Sequence, residues 1–208
     1  MRALFNRTDP ASFADGGRAP IVVVPGVWES WKFLQPLITR MHDDGHPVYV
    51  VPLLKFNGRP VADAAAVVDA YVESLGLRDV ILVAHSKGGL IGKFVMVHGA
   101  SAAGIRAMLA VSTPFSGSVY ARWLFVPSLR LFSPRDPLIV ALAEDRDVNR
   151  RIVSVFGEFD PHIPGGSFLA GAKNVRLETG GHFRVLAHPR VMAELAALSA
   201  SDVDPPVA

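Results

Sequence analysis

Val80-Ile81-Leu82-Val83-Ala84-His85-Ser86-Lys87-Gly88-Gly89-Leu90-Ile91-Gly92-Lys93-Phe94 is an apolar run that breaks at a serine and resumes with a different period. Val80 to Val83 are aliphatic without alternation, which suits a strand buried on both faces of a parallel sheet. Leu90, Phe94 and Val97, flanked by Ile91 and Val95, then recur at the spacing of a helix's inner face. The segment therefore reads strand, sharp turn, helix, with Ser86 at the junction. A backbone that leaves a strand and enters a helix so abruptly needs small neighbours, and Ala84, Gly88 and Gly89 supply them.

Such a turn holds a serine hydroxyl at the C-terminal end of a strand and the N-terminus of a helix. Unpaired backbone N–H groups there favour developing negative charge. Ala84-His85-Ser86-Lys87-Gly88 has the spacing of the nucleophile elbow G-x-S-x-G, with Ala84 at the first glycine position. Without that chemistry Ser86 is a helix N-cap, a role serine fills well. Lys87 then reads as a solvated side chain in the helix's first turn.

Composition bounds the alternatives. At 208 residues the chain can bury one sizeable core, and nothing in it asks for a second domain, so one unit over residues 1–208 is expected. Half of it is apolar and only 19% is charged, which argues against disorder. The net charge of +2 comes from scattered basic residues rather than a run, so no nucleic-acid partner is expected. There is no cysteine, hence neither a disulfide framework nor a thiolate metal site. Residues 1–19 carry charges, Pro10 and Gly16-Gly17 in place of a signal peptide's apolar stretch, and no window has the length needed for a transmembrane segment. A cytoplasmic location is the expectation.

Strand and helix alternate outward from the elbow. Ile21 to Val24 is a strand ending at Pro25-Gly26-Val27-Trp28, and a helix follows to about His42, closed by Gly45. Pro47 to Val51 is the next strand, and Val61 to Ser74 is a helix stopped by Gly76. After the elbow come a strand at Ala107–Val111, a helix at Pro137–Ala143, strands at Arg151–Phe156 and Asn174–Glu178, and a helix at Pro189–Leu198. Six strands separated by helices predict a doubly wound α/β fold: a mostly parallel sheet with helices on both faces. Ligands bind such sheets beyond the C-terminal strand ends, and Ser86, Asp160 and His182 each fall just past one.

The elbow, the segment Ser112-Thr113-Pro114-Phe115-Ser116-Gly117-Ser118 after the following strand, and Gly181-His182-Phe183 together resemble the α/β-hydrolase superfamily, in particular its small lipase- and esterase-like members. The resemblance runs from about Ile21 to Leu198, and the chain order serine, acid, histidine agrees with it. Ala84 departs from the usual glycine, and Pro25-Gly26 stands where His-Gly is common. The resemblance implies an α/β-hydrolase fold with Ser86 as nucleophile, His182 as general base and then acid, and Asp160 orienting the imidazole. It also implies an oxyanion hole made by the backbone N–H groups of Val27 and Lys87. Glu158 is the rival acid, directly after its strand, and His188 the rival base, at the start of the last helix. His85, His98 and His162 read as structural or solvent-facing, with His85 near enough to Ser86 to line a site.

Residues 119–136 interrupt the alternation at the place where the resembled family inserts a cap, and here the cap segment is short. Trp123, Leu124, Phe125 and Phe132, with Trp28 and Phe183, are candidates to wall an apolar acyl pocket, or else cover the sheet as core. The expected reaction is hydrolysis of a small-molecule ester, lipid included, through an acyl-enzyme. The same residues would serve acyl transfer or cleavage of a thioester or amide, and a non-catalytic binding protein of this fold is the alternative from another class. Gly88 to Phe94 is one residue short of a phosphate-binding loop, and no His-Glu-x-x-His or carboxylate cluster occurs, so no cofactor and no metal are expected.

Overall fold

The computed structural model describes residues 8–118 and 133–200. Among them, β1 (Ile21–Val24), β2 (Val48–Val50), β3 (Val80–His85), β4 (Ile105–Val111), β5 (Ile152–Phe159) and β6 (Lys173–Gly180) form one sheet in the order β2-β1-β3-β4-β5-β6. Every neighbouring pair is parallel. The helices between them are α1 (Gln35–Asp43), α2 (Val61–Ser74), α3 (Lys87–His98), α4 (Pro137–Glu144) and α5 (Pro189–Ala200).

All six residues of β3 are buried, as its unbroken apolar sequence requires of a central strand. Alternate side chains feed two cores. Val22, Val24, Leu82, Ala84, Met108 and Ala110 pack with apolar residues of α2, α3 and α4. Ile21, Val23, Ile81, Val83, Ala107 and Leu109 pack with those of α1 and α5 on the other face. Each large aliphatic side chain buried this way is worth about 1.5–3 kcal/mol relative to exposure.

The helix expected to run to about His42 is α1, and a 3₁₀ turn at Trp31–Phe33 precedes it with a break at Leu34. Pro36 explains the break: lacking an N–H, it belongs in a helix's first turn and fixes where α1 begins. β5 and β6 both outrun their expected ends, continuing past an irregularity at Gly157 until Phe159 pairs with Gly180. Of the cap segment, 119–132 lies outside the described residues, so Trp123, Leu124, Phe125 and Phe132 have no described position. No helix among the described residues is long and apolar enough to cross a membrane.

Candidate active site

Parallel strands put the C-terminal ends of β1, β3, β4, β5 and β6 on one edge of the sheet. At the end of β3, Ser86 has φ 52° and ψ −121°, outside the allowed regions for L-residues. Such a conformation costs about 1–3 kcal/mol and persists because its surroundings impose it. The Ser86 N–H donates to Val111 O at 2.9 Å, which anchors the turn to β4, and Gly89 N–H donates to Ser86 O at 3.1 Å as α3 begins. A Cβ on Gly88 would stand 2.1 Å from Val24 O, and one on Gly89 would stand 2.0 Å from Thr113 Oγ1. The two glycines therefore let α3 start against the ends of β1 and β4. Ala84 has no such restriction: it lies one strand-step back, in the core beside α2 and α3. Ser86 Oγ makes no capping bond to α3, so its hydroxyl is not spent as the N-cap reading would have it.

Asp160 follows β5 and His182 follows β6, and the two are joined by a 2.7 Å bond from His182 Nδ1 to Asp160 Oδ2, with both side chains buried. Asp160 Oδ1 accepts the backbone N–H groups of His162 at 2.8 Å and Ile163 at 3.2 Å. Burial pushes the Asp160 carboxyl up, but the bond and charge of His182 and the two backbone donors outweigh it and hold it below its ordinary value. It is therefore an acceptor at neutral pH, which orients Nδ1 as the protonated nitrogen and turns Nε2 away from the acid. Nε2 has no hydrogen-bond partner among the described residues, and no bond there joins it to Ser86 Oγ.

His85 places Ser86 relative to His182. Its ring centroid lies 4.9 Å from that of His182, and its Nε2 lies 3.4 Å from His182 O. Ser86 is the next residue along the chain. On its other side His85 Nδ1 meets both carboxylate oxygens of Glu29 at 2.9 Å, and Glu29 Oε2 also accepts Gly26 N–H at 2.8 Å. Glu29 had no signal in the sequence, because its partners lie at the ends of two different strands.

Lys87 is the clearest correction. Its side chain is not solvated but fully buried, donating from Nζ to Asn57 O at 2.8 Å and to Arg59 O. Asn57 Nδ2 in turn donates to Pro25 O at 2.6 Å. Burial pushes the Lys87 amine down to about 8. The elbow, the loop after β2 and the turn after β1 are thereby tied together. Among the described residues, the backbone N–H groups of Lys87 and Val27 donate no hydrogen bond.

The rivals are engaged elsewhere: Glu158 is exposed and pairs with Arg176 at 2.9 Å, and His188 Nδ1 accepts Arg190 N–H at 3.1 Å as α5 begins. His162 is half-exposed, yet its ring lies 4.7 Å from that of His182. Asp160, His162 and His182 form the one trio of ligand-type side chains among the described residues, with ligand atoms within 4.8 Å, but its two buried members already bond each other. Trp28 and Phe183 are 54% and 45% exposed. Phe183 packs edge-on against Phe33 at 5.2 Å, and both rings flank His85. Beside them a cleft of about 280 Å³ runs between α1 and the turn after His182, lined by Phe33, Leu34, Leu37, Arg40, Phe183 and Ala187.

No protein-family model matches the chain, and no curated protein sequence does. Solved structures do. A lipase of Bacillus licheniformis in its mature form superposes with a TM-score of 0.70 at 16% identity, over 92% of this chain and 96% of that one. Aspergillus fumigatus lipase B gives 0.73 at 18% identity, over 95% of this chain but 57% of its own. An extracellular α/β-hydrolase from a Paenibacillus species gives 0.59 at 17%, over 88% of this chain and 100% of that one. At these identities the likeness speaks for architecture, and with the parallel six-stranded sheet it establishes that this chain has the α/β-hydrolase fold.

Proposed function

We propose that the protein is a serine hydrolase that cleaves carboxylic esters with an apolar acyl group through an acyl-enzyme. The observation that carries this reading is a buried Asp160–His182 pair whose imidazole lies 4.9 Å from the ring of His85, the residue before a serine held in a strained turn with its hydroxyl unused as a cap. Lipases among the structures of the same fold support it.

In this reading Ser86 Oγ attacks the carbonyl carbon while His182 Nε2 takes its proton. Asp160 steadies the imidazolium, and the Val27 and Lys87 N–H groups receive the oxyanion. Collapse expels the alcohol, which takes the proton from His182. Water then attacks the acyl-enzyme with His182 again as base, releasing the acid and restoring Ser86. Removing one oxyanion donor typically costs about 3 kcal/mol of barrier.

A fluorophosphonate probe tests the reading. The wild-type protein should be labelled and Ser86→Ala should not, and p-nitrophenyl ester turnover should fall by at least about 10³-fold in Ser86→Ala, Asp160→Asn or His182→Ala. An unlabelled, inactive wild type would leave a binding protein of the same fold.

A further inference from the structure

Glu29 is a buried carboxylate that the hydrolytic steps above do not use. Its oxygens bind Gly26 N–H at 2.8 Å and His85 Nδ1 at 2.9 Å, while His85 Nε2 faces His182 O at 3.4 Å. One side chain thus connects the turn after β1, the residue before Ser86 and, through His85, the main chain of His182. The fit is close: a Cβ on Gly26 would stand 2.7 Å from Glu29 Oε1, so only glycine lets the carboxylate seat against the turn.

We infer that Glu29, acting through His85, is a positioning residue for this reaction: it sets the Val27 N–H against the elbow and holds the His182 loop in reach of Ser86. The inference rests on the proposed hydrolytic reading. Glu29 and Ser30 lie at the mouth of a turn otherwise held by Asn57 Nδ2 on Pro25 O and by the 3.3 Å bond from Glu29 N to Gly26 O. Those contacts fix where the turn begins. The carboxylate is what fixes it to His85. The His85 ring thus lies between two acceptors, the Glu29 carboxylate at Nδ1 and His182 O at Nε2. Phe33 and Phe183 close over that ring, centroids at 6.4 and 5.6 Å, and keep it from water.

Glu29→Ala and Glu29→Gln separate positioning from mere stability. With p-nitrophenyl butyrate, Glu29→Ala should lose about 100-fold in kcat with KM within about threefold, because a displaced oxyanion donor affects the transition state more than the bound ester. Its fluorophosphonate labelling rate should fall in parallel. Glu29→Gln should recover roughly tenfold, since one amide oxygen can still accept one of the two donors. A folded Glu29→Ala protein that labels and turns over at the wild-type rate would overturn the inference, as would Glu29→Gln performing no better than alanine. If the alanine variant does not fold, the glutamine variant's kcat against KM decides alone. Amide hydrogen exchange keeps the two claims apart: should wild type prove inactive and unlabelled, the hydrolytic reading fails, whereas unchanged exchange at Gly26 in Glu29→Ala, which leaves its N–H no carboxylate to bind, would remove the tie itself.

Discussion

Ser86 shows what one residue's backbone can store. At φ 52° and ψ −121° a side chain is disfavoured and glycine is not, so the strain is a property of having a Cβ there. Ser86→Gly should therefore raise stability by about 1 kcal/mol, the relief of strain exceeding the added chain entropy of the unfolded state. Ser86→Ala keeps the Cβ and should gain much less. The check is thermal unfolding: a midpoint for Ser86→Gly about 2–4 °C above that of Ser86→Ala is expected, and equal midpoints would mean the turn is not strained. At this scale the sequence was legible where chemistry and chain geometry coincide. Small residues around a serine marked the turn, and a glycine-flanked histidine marked the end of β6. Glu29 was not legible, because a carboxylate four residues from a strand acquires meaning only when a ring from another strand arrives beside it.

Elements were readable to the extent that burial alone chose their residues. β3 has no polar face, so its composition states its place in the sheet. α3 is different. Lys87 and Lys93 sit among its buried residues, and a helix wheel assigns such lysines to solvent. Lys87 finds carbonyl oxygens, but Lys93 Nζ is buried with no hydrogen-bond partner among the described residues. Burial pushes the Lys93 amine down to about 8, partly offset by the charge of Asp145 and reinforced by that of Arg146. The folded protein then binds fewer protons than the unfolded chain between about pH 8 and the ordinary value of 10.5. Stability accordingly rises with pH across that window, and the full penalty, at most about 3 kcal/mol, is present below it. Lys93→Met removes the charge and keeps the stem's packing. It should stabilise the protein by about 2 kcal/mol at pH 7 and flatten, though not abolish, the rise, since Lys87 titrates in the same range. Denaturant unfolding at pH 7 and pH 10 measures both. A loss of stability in Lys93→Met at pH 7 would show the amine to be compensated after all.

The molecule as a whole supplies what no local stretch holds, a cleft built from residues about 150 positions apart: Phe33, Leu34 and Leu37 on one wall, Phe183 and Ala187 on the other. The sequence points for an apolar pocket to Trp28, Phe183 and the aromatic run at 119–136, and of these Phe183 lines the cleft. Those side chains are recognisable as apolar in any order, whereas a groove between two turns depends on how α1 and the turn after His182 meet across the sheet edge. At about 280 Å³ the cleft sits at the small end of the range for ligand sites, and Phe183, next to His182 in the chain, lines it. If it receives the acyl chain of an ester held at Ser86, each added methylene should contribute up to about 0.8 kcal/mol until the cleft is full. Ala187 is exposed on its wall, so Ala187→Trp should fill the space without disturbing the core. On p-nitrophenyl esters, that variant should lose at least about tenfold in kcat/KM for octanoate and stay within about twofold for acetate, which is too short to reach the new ring. An octanoate-to-acetate ratio left at the wild-type value would place the acyl chain outside this cleft.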